Sequence, residues 1–403
     1  MRIAFVHPRF PSAEGTGATH SATQIVSGLV DAGHDIRVYC PQLPDKEPET
    51  TDLELRHLAG NSKHPHTNTR LNKEIVSRLG ELRTFDVVHS YMTPLIPSIA
   101  RVGEDSDVKT VVTLNAYGGT CAKNDLQYLD QMQCKQKSNL KCLNCISRSG
   151  FSNKHGYLYN TAGELFSLRL INIGENRLRH IDAFQALSHH VMTTYSNFGF
   201  PEERIQVIPN ILDEKFLIKH QNQFSNPYQL IYVGSLEKHK GVQMLPEIMS
   251  YLKINSNMDF NLTIVGDGGL QSKLQNGFKQ EQISSEVTFT GQISNNKLPR
   301  LYAEHDLFIY PGIWNEPFGR VFIESLAAGT PIIGTNVGAL ENIAGSAGVV
   351  TEPTPRKLAE SINHLVKSKE IEKLANNTKK EARRFSKERV IRDFENLYSR
   401  MMS

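Results

Sequence analysis

The chain has 403 residues, and its 45 lysines and arginines against 42 aspartates and glutamates give a formal charge of +3. With 39% hydrophobic and 22% charged residues it has the make-up of a folded protein of two or three domains, and not of a disordered or fibrous chain. So even a charge balance, with no polybasic tract interleaved with aromatics, excludes an electrostatic case for nucleic-acid binding.

No stretch approaches the roughly 18 consecutive apolar residues of a membrane-spanning helix. The longest charge-free stretch, Ser325 to Leu340, is interrupted by Gly329, Pro331, Gly334 and Gly338. At the N-terminus Met1-Arg2-Ile3-Ala4-Phe5-Val6 meets His7-Pro8 too soon for a secretory h-region, and reads as a first strand. Five cysteines in a chain of this length do not make a disulfide scaffold, so a reducing cytoplasm is expected.

In chain order, the strands predicted in the first half are Arg2–Val6, Ile36–Cys40, Asp86–Ser90, Thr110–Leu114, Ala183–Leu187 and Ile205–Pro209. Those of the second half are Gln229–Gly234, Asn261–Gly266, Val287–Gly291, Leu307–Pro311, Pro331–Thr335 and Gly348–Val350. They are apolar on both faces, as a parallel sheet covered by helices requires. Between them the period becomes helical: Ala22, Ile25, Val26, Leu29 and Val30 share one face, and Gly33 stops that helix. Strand–helix alternation predicts right-handed βαβ units and a doubly wound α/β fold. It restarts after a looser stretch, Leu212–Tyr228, which predicts two such domains with a ligand in the cleft between them, at the carboxyl ends of the strands. Two segments break the pattern. Pro41–Asn72 reads as surface loops, and Cys121–Ser152, polar and cysteine-rich, reads as an insertion.

The chemistry concentrates in Trp314-Asn315-Glu316-Pro317-Phe318-Gly319-Arg320-Val321-Phe322-Ile323-Glu324. Pro311, Gly312 and Pro317 keep Glu316 on a loop, and the helical period begins near Gly319, so Glu324 falls in the opening turns. Gly319 permits close approach of a ligand, the first amides of the helix suit an anion such as a diphosphate, and the two acids can each accept hydrogen bonds from hydroxyl pairs. A charged loop capping an ordinary helix is the plain alternative. Ser325-Leu326-Ala327-Ala328-Gly329-Thr330-Pro331 follows, a small-residue helix running into a Gly-x-Pro strand.

With these residues the chain resembles the retaining glycosyltransferases of family 4, whose fold is GT-B: two Rossmann-like doubly wound parallel-sheet domains facing a cleft. Glu316 and Glu324 match the family's E-x7-E element. Gly15-Thr16-Gly17 matches its glycine-rich loop, Ala32-Gly33-His34-Asp35-Ile36 the turn into the second strand, and Ile208-Pro209-Asn210 the end of the first domain. Gly234-Ser235-Leu236 with Lys240-Gly241 matches the start of the donor domain, and Val265-Gly266-Asp267-Gly268 and Phe289-Thr290-Gly291 match later strand ends. The resemblance implies an acceptor-side domain over 1–210, a nucleotide-sugar domain over 211–384, and a last helix, 385–403, returning to the first domain.

What it further implies is transfer of a hexose from a nucleotide-diphosphate sugar to an acceptor hydroxyl with retained anomeric configuration and no metal in the chemistry. Lys240 would hold the diphosphate, Glu316 the sugar ring and Glu324 the ribose. Gly17, Ser235, Gly266, Phe318, Gly319 and Arg320 would complete the donor site, and Asn115 would join the catalytic set. Two departures stand out. Ser235 occupies the place of an arginine that usually pairs with the lysine, leaving Arg320, Lys238 or His239 to supply charge. Asn115 ends a strand where the family usually reads Thr-x-His-Asp, and it cannot carry a proton; His89, one strand earlier, is the nearby imidazole.

Cys121, Cys134, Cys142 and Cys145 have the spacing C-x12-C-x7-C-x2-C, which suits a structural zinc, with an iron–sulfur cluster, two disulfides or unrelated thiols as rivals. Leu165, Phe166, Leu168, Leu170 and Ile171 beside Arg169, Arg177 and Arg179 suggest either a helix packed on the sheet or a peripheral membrane contact near a glycan or lipid-linked acceptor, at the inner face of the membrane. The expected role is surface-polysaccharide or lipid-linked glycan synthesis. A sugar-nucleotide 2-epimerase and a non-catalytic sugar-nucleotide-binding subunit are the alternatives.

Overall fold

The computed structural model describes residues 1–9, 17–41, 53–58, 64–129, 132–149, 157–218 and 224–403. It divides into two units, Met1–Asn210 with Val390–Ser403, and Ile211–Arg389.

The first unit runs β1 (Arg2–Val6), α1 (Gly17–Asp31), β2 (Asp35–Cys40), β3 (Glu54–His57), α2 (Thr67–Ser77), α3 (Leu79–Leu82), β4 (Val87–Ser90), α4 (Ile96–Gly103) and β5 (Lys109–Leu114). It continues with β6 (Gln127–Tyr128), β7 (Met132–Gln133), α5 (Asn139–Ser149), α6 (Tyr157–Glu175), β8 (Ala183–Ala186), α7 (His189–Asn197) and β9 (Ile205–Val207). Its seven-stranded sheet has the order β3-β2-β1-β4-β5-β8-β9, and every pair is parallel. The order reverses between β1 and β4. That switch point, at the carboxyl ends of the strands, is where such sheets take ligands.

The second unit runs β10 (Tyr228–Val233), α8 (Leu245–Asn255), β11 (Phe260–Val265), α9 (Gln271–Gln280), β12 (Val287–Gly291), α10 (Leu298–Ala303) and β13 (Leu307–Tyr310). Then come α11 (Arg320–Ala328), β14 (Ile332–Thr335), α12 (Leu340–Ala344), β15 (Gly348–Thr351), α13 (Pro355–Lys367) and α14 (Glu370–Ala382). Its sheet is also all parallel, ordered β12-β11-β10-β13-β14-β15, with the reversal between β10 and β13. Leu230, Tyr232, Leu262, Ile264, Leu307 and Ile309 pack under Leu245, Ile248, Leu252, Leu358 and Ile362. Each large side chain so buried contributes about 1.5–3 kcal/mol. The last helix, α15 (Lys387–Met402), belongs to the first unit from Val390 onward.

All twelve predicted strands are present, each within two residues of its expected ends. The thirteenth sheet strand, β3, falls inside the predicted surface loops. Its Glu-Leu-Arg-His run is exposed at a sheet edge apart from a partly buried Leu55, and it joins β2 through backbone pairing and the Arg37–Glu54 ion pair rather than through an apolar face. The predicted loop residues 42–52 and 59–63 lie outside the described residues, as do Gly15 and Thr16. Among the described residues no helix is long and apolar enough to cross a membrane.

One buried hydrogen-bond chain crosses the first unit. Gln185 Nε2 donates to the Ile208 carbonyl at 2.8 Å, and Thr113 Oγ1 donates to Gln185 Oε1 at 2.6 Å. The Thr113 hydroxyl thereby accepts from His89 Nε2 at 2.8 Å, which leaves His89 Nδ1 to accept from the Tyr398 hydroxyl at 2.7 Å. All four side chains are inaccessible to solvent. His89 is thus a structural link between β4, β5 and α15, and not an imidazole facing a ligand.

Burial lowers the pKa of His89 to about 3, and that of His7, which accepts from the Arg9 amide, also to about 3. Below the open-chain value of 6.5 the unfolded chain therefore binds protons that the native state refuses. Stability is complete above about pH 6.5 and falls by about 1.4 kcal/mol per pH unit for each such histidine as the pH drops toward 3. Thermal melts from about pH 7.5 to about pH 4.5 should show this decline, with a shallower slope for His89→Gln; equal slopes in the two proteins would contradict it.

Candidate functional site

At the switch point of the second sheet, β10 runs on into Gly234-Ser235 and β13, ending at Tyr310, into Pro311-Gly312. The loop after β10 carries Lys240 on a single 3-10 turn, Lys238–Lys240, which closes on Gly241 at φ +71°. A Cβ on Gly241 would lie 1.7 Å from the Pro311 carbonyl oxygen, so only glycine lets the two loops come this close. The His239 carbonyl accepts from both Ile313 N and Trp314 N at 3.2 Å, which stitches the loops together.

Across that seam Lys240 Nζ forms an ion pair with Glu316 Oε2, and the Tyr310 hydroxyl donates to the same oxygen at 3.1 Å. The Lys240 and Glu316 side chains are only 20% and 14% exposed. The ammonium also lies 5.6 Å from the Trp314 ring centroid and 5.9 Å from that of Tyr310, an aromatic wall that suits a cation. Glu316 is held from behind by β14's loop. Its carbonyl accepts from Ala339 N at 2.9 Å, and Gly338, at φ +68°, leaves no room for a Cβ, which would fall 2.3 Å from Glu316 N. Gly338 N donates to Asn315 Oδ1 at 3.1 Å.

Gly319 caps α11 in a left-handed conformation, φ +77°, where a Cβ would strike the Phe322 ring at 2.3 Å. Phe318 is buried and edge-on to Phe385, so its ring anchors the loop. Glu324 is buried on α11, 3.7 Å from Arg320 Nε, whose guanidinium also donates to the Ile211 carbonyl at 3.4 Å. Burial pushes the Glu324 carboxyl up; Arg320 and Lys215 pull it back, and Asp213 adds to the rise. Arg320 is therefore committed to Glu324 and backbone. Ser235 is exposed, with its carbonyl accepting from the Tyr232 hydroxyl at 2.9 Å. It lines a cavity of about 280 Å³ with Gly234, Gly266, Asp267, Gln292 and Leu298. Gly266 is obligatory there, because its Cβ would sit 1.9 Å from the Gly234 carbonyl oxygen.

In the first unit Gly17 opens α1, its carbonyl accepting from Ser21 Oγ at 2.9 Å. Asn115 follows β5; its amide donates to the Tyr91 carbonyl at 3.1 Å and its oxygen accepts from Thr93 Oγ1 at 3.1 Å. It lines a cavity of about 250 Å³ with Pro8, Thr93, Gly118, Asn124 and Ser167, at the switch point of that sheet. The structure thus brings Lys240 and Glu316 into contact, seats Ser235 and Gly266 on one cavity, and puts Asn115 on another. Sequence reading missed Tyr310 and Gly338 as parts of the site. The one available signal was the chain's only tryptophan, Trp314, two residues before Glu316.

The cysteine insertion does not fit a zinc site, which corrects that expectation. Among the described residues no group of three or more His, Cys, Asp or Glu side chains is placed to hold a metal ion. The Cys121 thiol donates to Asp125 Oδ1 at 3.8 Å, and burial pushes its pKa up to about 11. Cys134 donates to the Gln136 carbonyl at 3.3 Å, and Cys145 accepts from Leu129 N at 3.4 Å. Burial also raises Cys142, and the neighbouring Cys134 and Cys145 add to the rise. The segment holds its shape by other means: the β6–β7 hairpin, buried Leu126 and Ile146, and Asn144 donating to the Tyr128 hydroxyl at 2.7 Å.

Comparison with known proteins bears on the family and the fold. The N-acetyl-alpha-D-glucosaminyl L-malate synthase of Bacillus anthracis is 27% identical over 230 residues, 54% of this chain and 59% of that protein. The chain spans little more than half the length of the curated relatives it matches. The Anabaena HepE structure in complex with UDP superposes with a TM-score of 0.70 at 17% identity, over 99% of this chain and 100% of that one. The lipopolysaccharide outer core galactosyltransferase WaaB gives 0.68 at 15% identity, over 98% and 99%. At these identities the structures show the fold, GT-B. Sequence profiles match as well: "Glycosyltransferase Family 4" over residues 15–216, half of the chain, and "Glycosyl transferases group 1" over 213–385. The chain belongs to glycosyltransferase family 4.

Proposed function

We propose that this protein moves a hexose from a nucleoside-diphosphate sugar to an acceptor hydroxyl, with retained configuration and without a metal, in the synthesis of a surface polysaccharide or lipid-linked glycan. The observation that carries the reading is the Lys240–Glu316 pair at the switch point of the second sheet. A diphosphate arriving there exchanges with the carboxylate for the lysine ammonium. Half-buried charges interact several times more strongly than in water, about 4 against 1 kcal/mol at 4 Å. Lys240 and the first amides of α11 then stabilise the departing diphosphate, while Glu316, released, accepts hydrogen bonds from the sugar hydroxyls. Ser235 and Gly266 border the cavity for the nucleoside, and Glu324 takes the ribose.

The acceptor proton passes to the leaving phosphate oxygen. This route needs no dedicated protein base. The nucleoside diphosphate released by wild type across a panel of nucleotide sugars measures the reaction. Glu316→Gln should lower the rate by about a hundredfold to a thousandfold with an unchanged melting temperature. Full activity in that variant removes Glu316 from its role, and binding without release favours a non-catalytic subunit.

A groove of about 620 Å³ in the first unit supports the lipid-linked acceptor. Lys73 and Val76 of α2, Arg101 of α4, Arg169 and Ile173 of α6 and the following Arg177 line it; Arg101 and Arg177 both pair with Glu104, outside the lining. Val76 and Ile173 are each 39% exposed. Cations beside accessible apolar side chains match an anionic headgroup with its hydrocarbon chain. The protein should sediment with vesicles containing phosphatidylglycerol and not with phosphatidylcholine alone, and Lys73→Glu/Arg169→Glu should abolish most of that binding. Wild type staying in the supernatant with both lipids would remove the lipid-linked acceptor and leave the donor chemistry standing.

A further inference from the structure

We infer that Tyr310 is a positioning residue that fixes the Glu316 carboxylate for the donor's sugar, an inference that rests on the nucleotide-sugar reading above. Tyr310 ends β13 with its side chain 1% exposed. Its ring is wedged edge-on against Phe322, with centroids 4.8 Å apart at 80°. The fold clears space for this particular ring. A Cβ on Gly312 would lie 2.3 Å from Tyr310 Cε1 and 2.9 Å from its hydroxyl oxygen, and one on Gly334 would lie 2.7 Å from the Tyr310 carbonyl oxygen. A glycine kept beside the phenol, at Gly312, is a costly arrangement if the ring serves only as apolar filling, because leucine or isoleucine at a strand end would pack without it; Gly334 clears the backbone of the same strand end.

The hydroxyl is what the arrangement delivers. It donates to Glu316 Oε2 at 3.1 Å, the oxygen that also meets the Lys240 ammonium. When a diphosphate draws the ammonium away, Glu316 sits on a loop with its ion-pair partner gone. The tyrosine, locked by Phe322, stays. It keeps Oε2 engaged and presents Oε1 to the sugar hydroxyls, so the carboxylate does not have to be ordered again when the donor binds. The effect falls on the sugar and not on the nucleotide, and this separates it from a structural role.

Calorimetric titration of wild type with UDP-glucose, UDP-N-acetylglucosamine and GDP-mannose identifies the tightest donor, which is then compared with its own nucleoside diphosphate in Tyr310→Phe. The variant should bind the donor about tenfold to a hundredfold more weakly, the worth of one hydrogen bond to a charged group, and bind the nucleoside diphosphate within about twofold of wild type. Gly312→Ala keeps the hydroxyl but displaces the ring, and should show the same selective loss. Equal weakening of both ligands, or no weakening of either, would overturn the role of Tyr310. Wild type that binds no member of the panel would instead overturn the nucleotide-sugar reading on which it rests.

Discussion

The half-buried ion pair between Lys240 and Glu316 is the constraint around which the second unit is arranged. Each partner sits on a loop leaving one of two strands flanking a topological reversal, and the pair closes only because those loops touch. Gly241 against Pro311 and Gly338 against Glu316 are the contact points, and each excludes any side chain. An ion pair of this kind is weak evidence for stability, since desolvation offsets much of the Coulombic gain. Its presence at a strand-end switch point, with aromatic rings around the ammonium, is the feature on which the proposed exchange with an anionic ligand rests.

The two units spend their buried polar groups differently. In the first, a continuous hydrogen-bond chain from Ile208 through Gln185, Thr113 and His89 to Tyr398 consumes its donors and acceptors internally and ties the last helix to the centre of the sheet. In the second, Glu316 meets Lys240 at a partly exposed position, and Glu324 is buried with Arg320 as its near cation. A network closed on itself rigidifies, whereas a pair with solvent access can exchange partners. That contrast supports the proposal that the donor binds in the second unit.

Much of this was legible in the residues. Strands such as Leu230-Ile231-Tyr232-Val233 are apolar on both faces because helices cover both sides, and that pattern needs no tertiary information. The edge strand Glu54–His57 gave no such signal, since its exposed polar residues pair there through backbone and one ion pair. The acids at 316 and 324 were visible from spacing, and Lys240 only through the family pattern. Tyr310 was hidden: in sequence it is one more apolar-strand residue, and its meaning depends on a glycine two positions on and a carboxylate six positions on. The cysteine spacing pointed to a metal, yet among the described residues no metal-holding group forms: Cys134, Cys142 and Cys145 are neighbours, while Cys121 and Cys134 take carboxylate and carbonyl partners.

Trp314 gives the most direct measurement of the central claim, being the only tryptophan and lying 5.6 Å from the Lys240 ammonium. Its fluorescence can be followed while nucleoside-diphosphate sugars are titrated into the intact protein. A ligand that draws Lys240 away from Glu316 should change the emission saturably, and Lys240→Met should abolish that change while remaining folded. Emission that stays flat across uridine, guanosine and adenosine donors in folded wild-type protein would contradict the account.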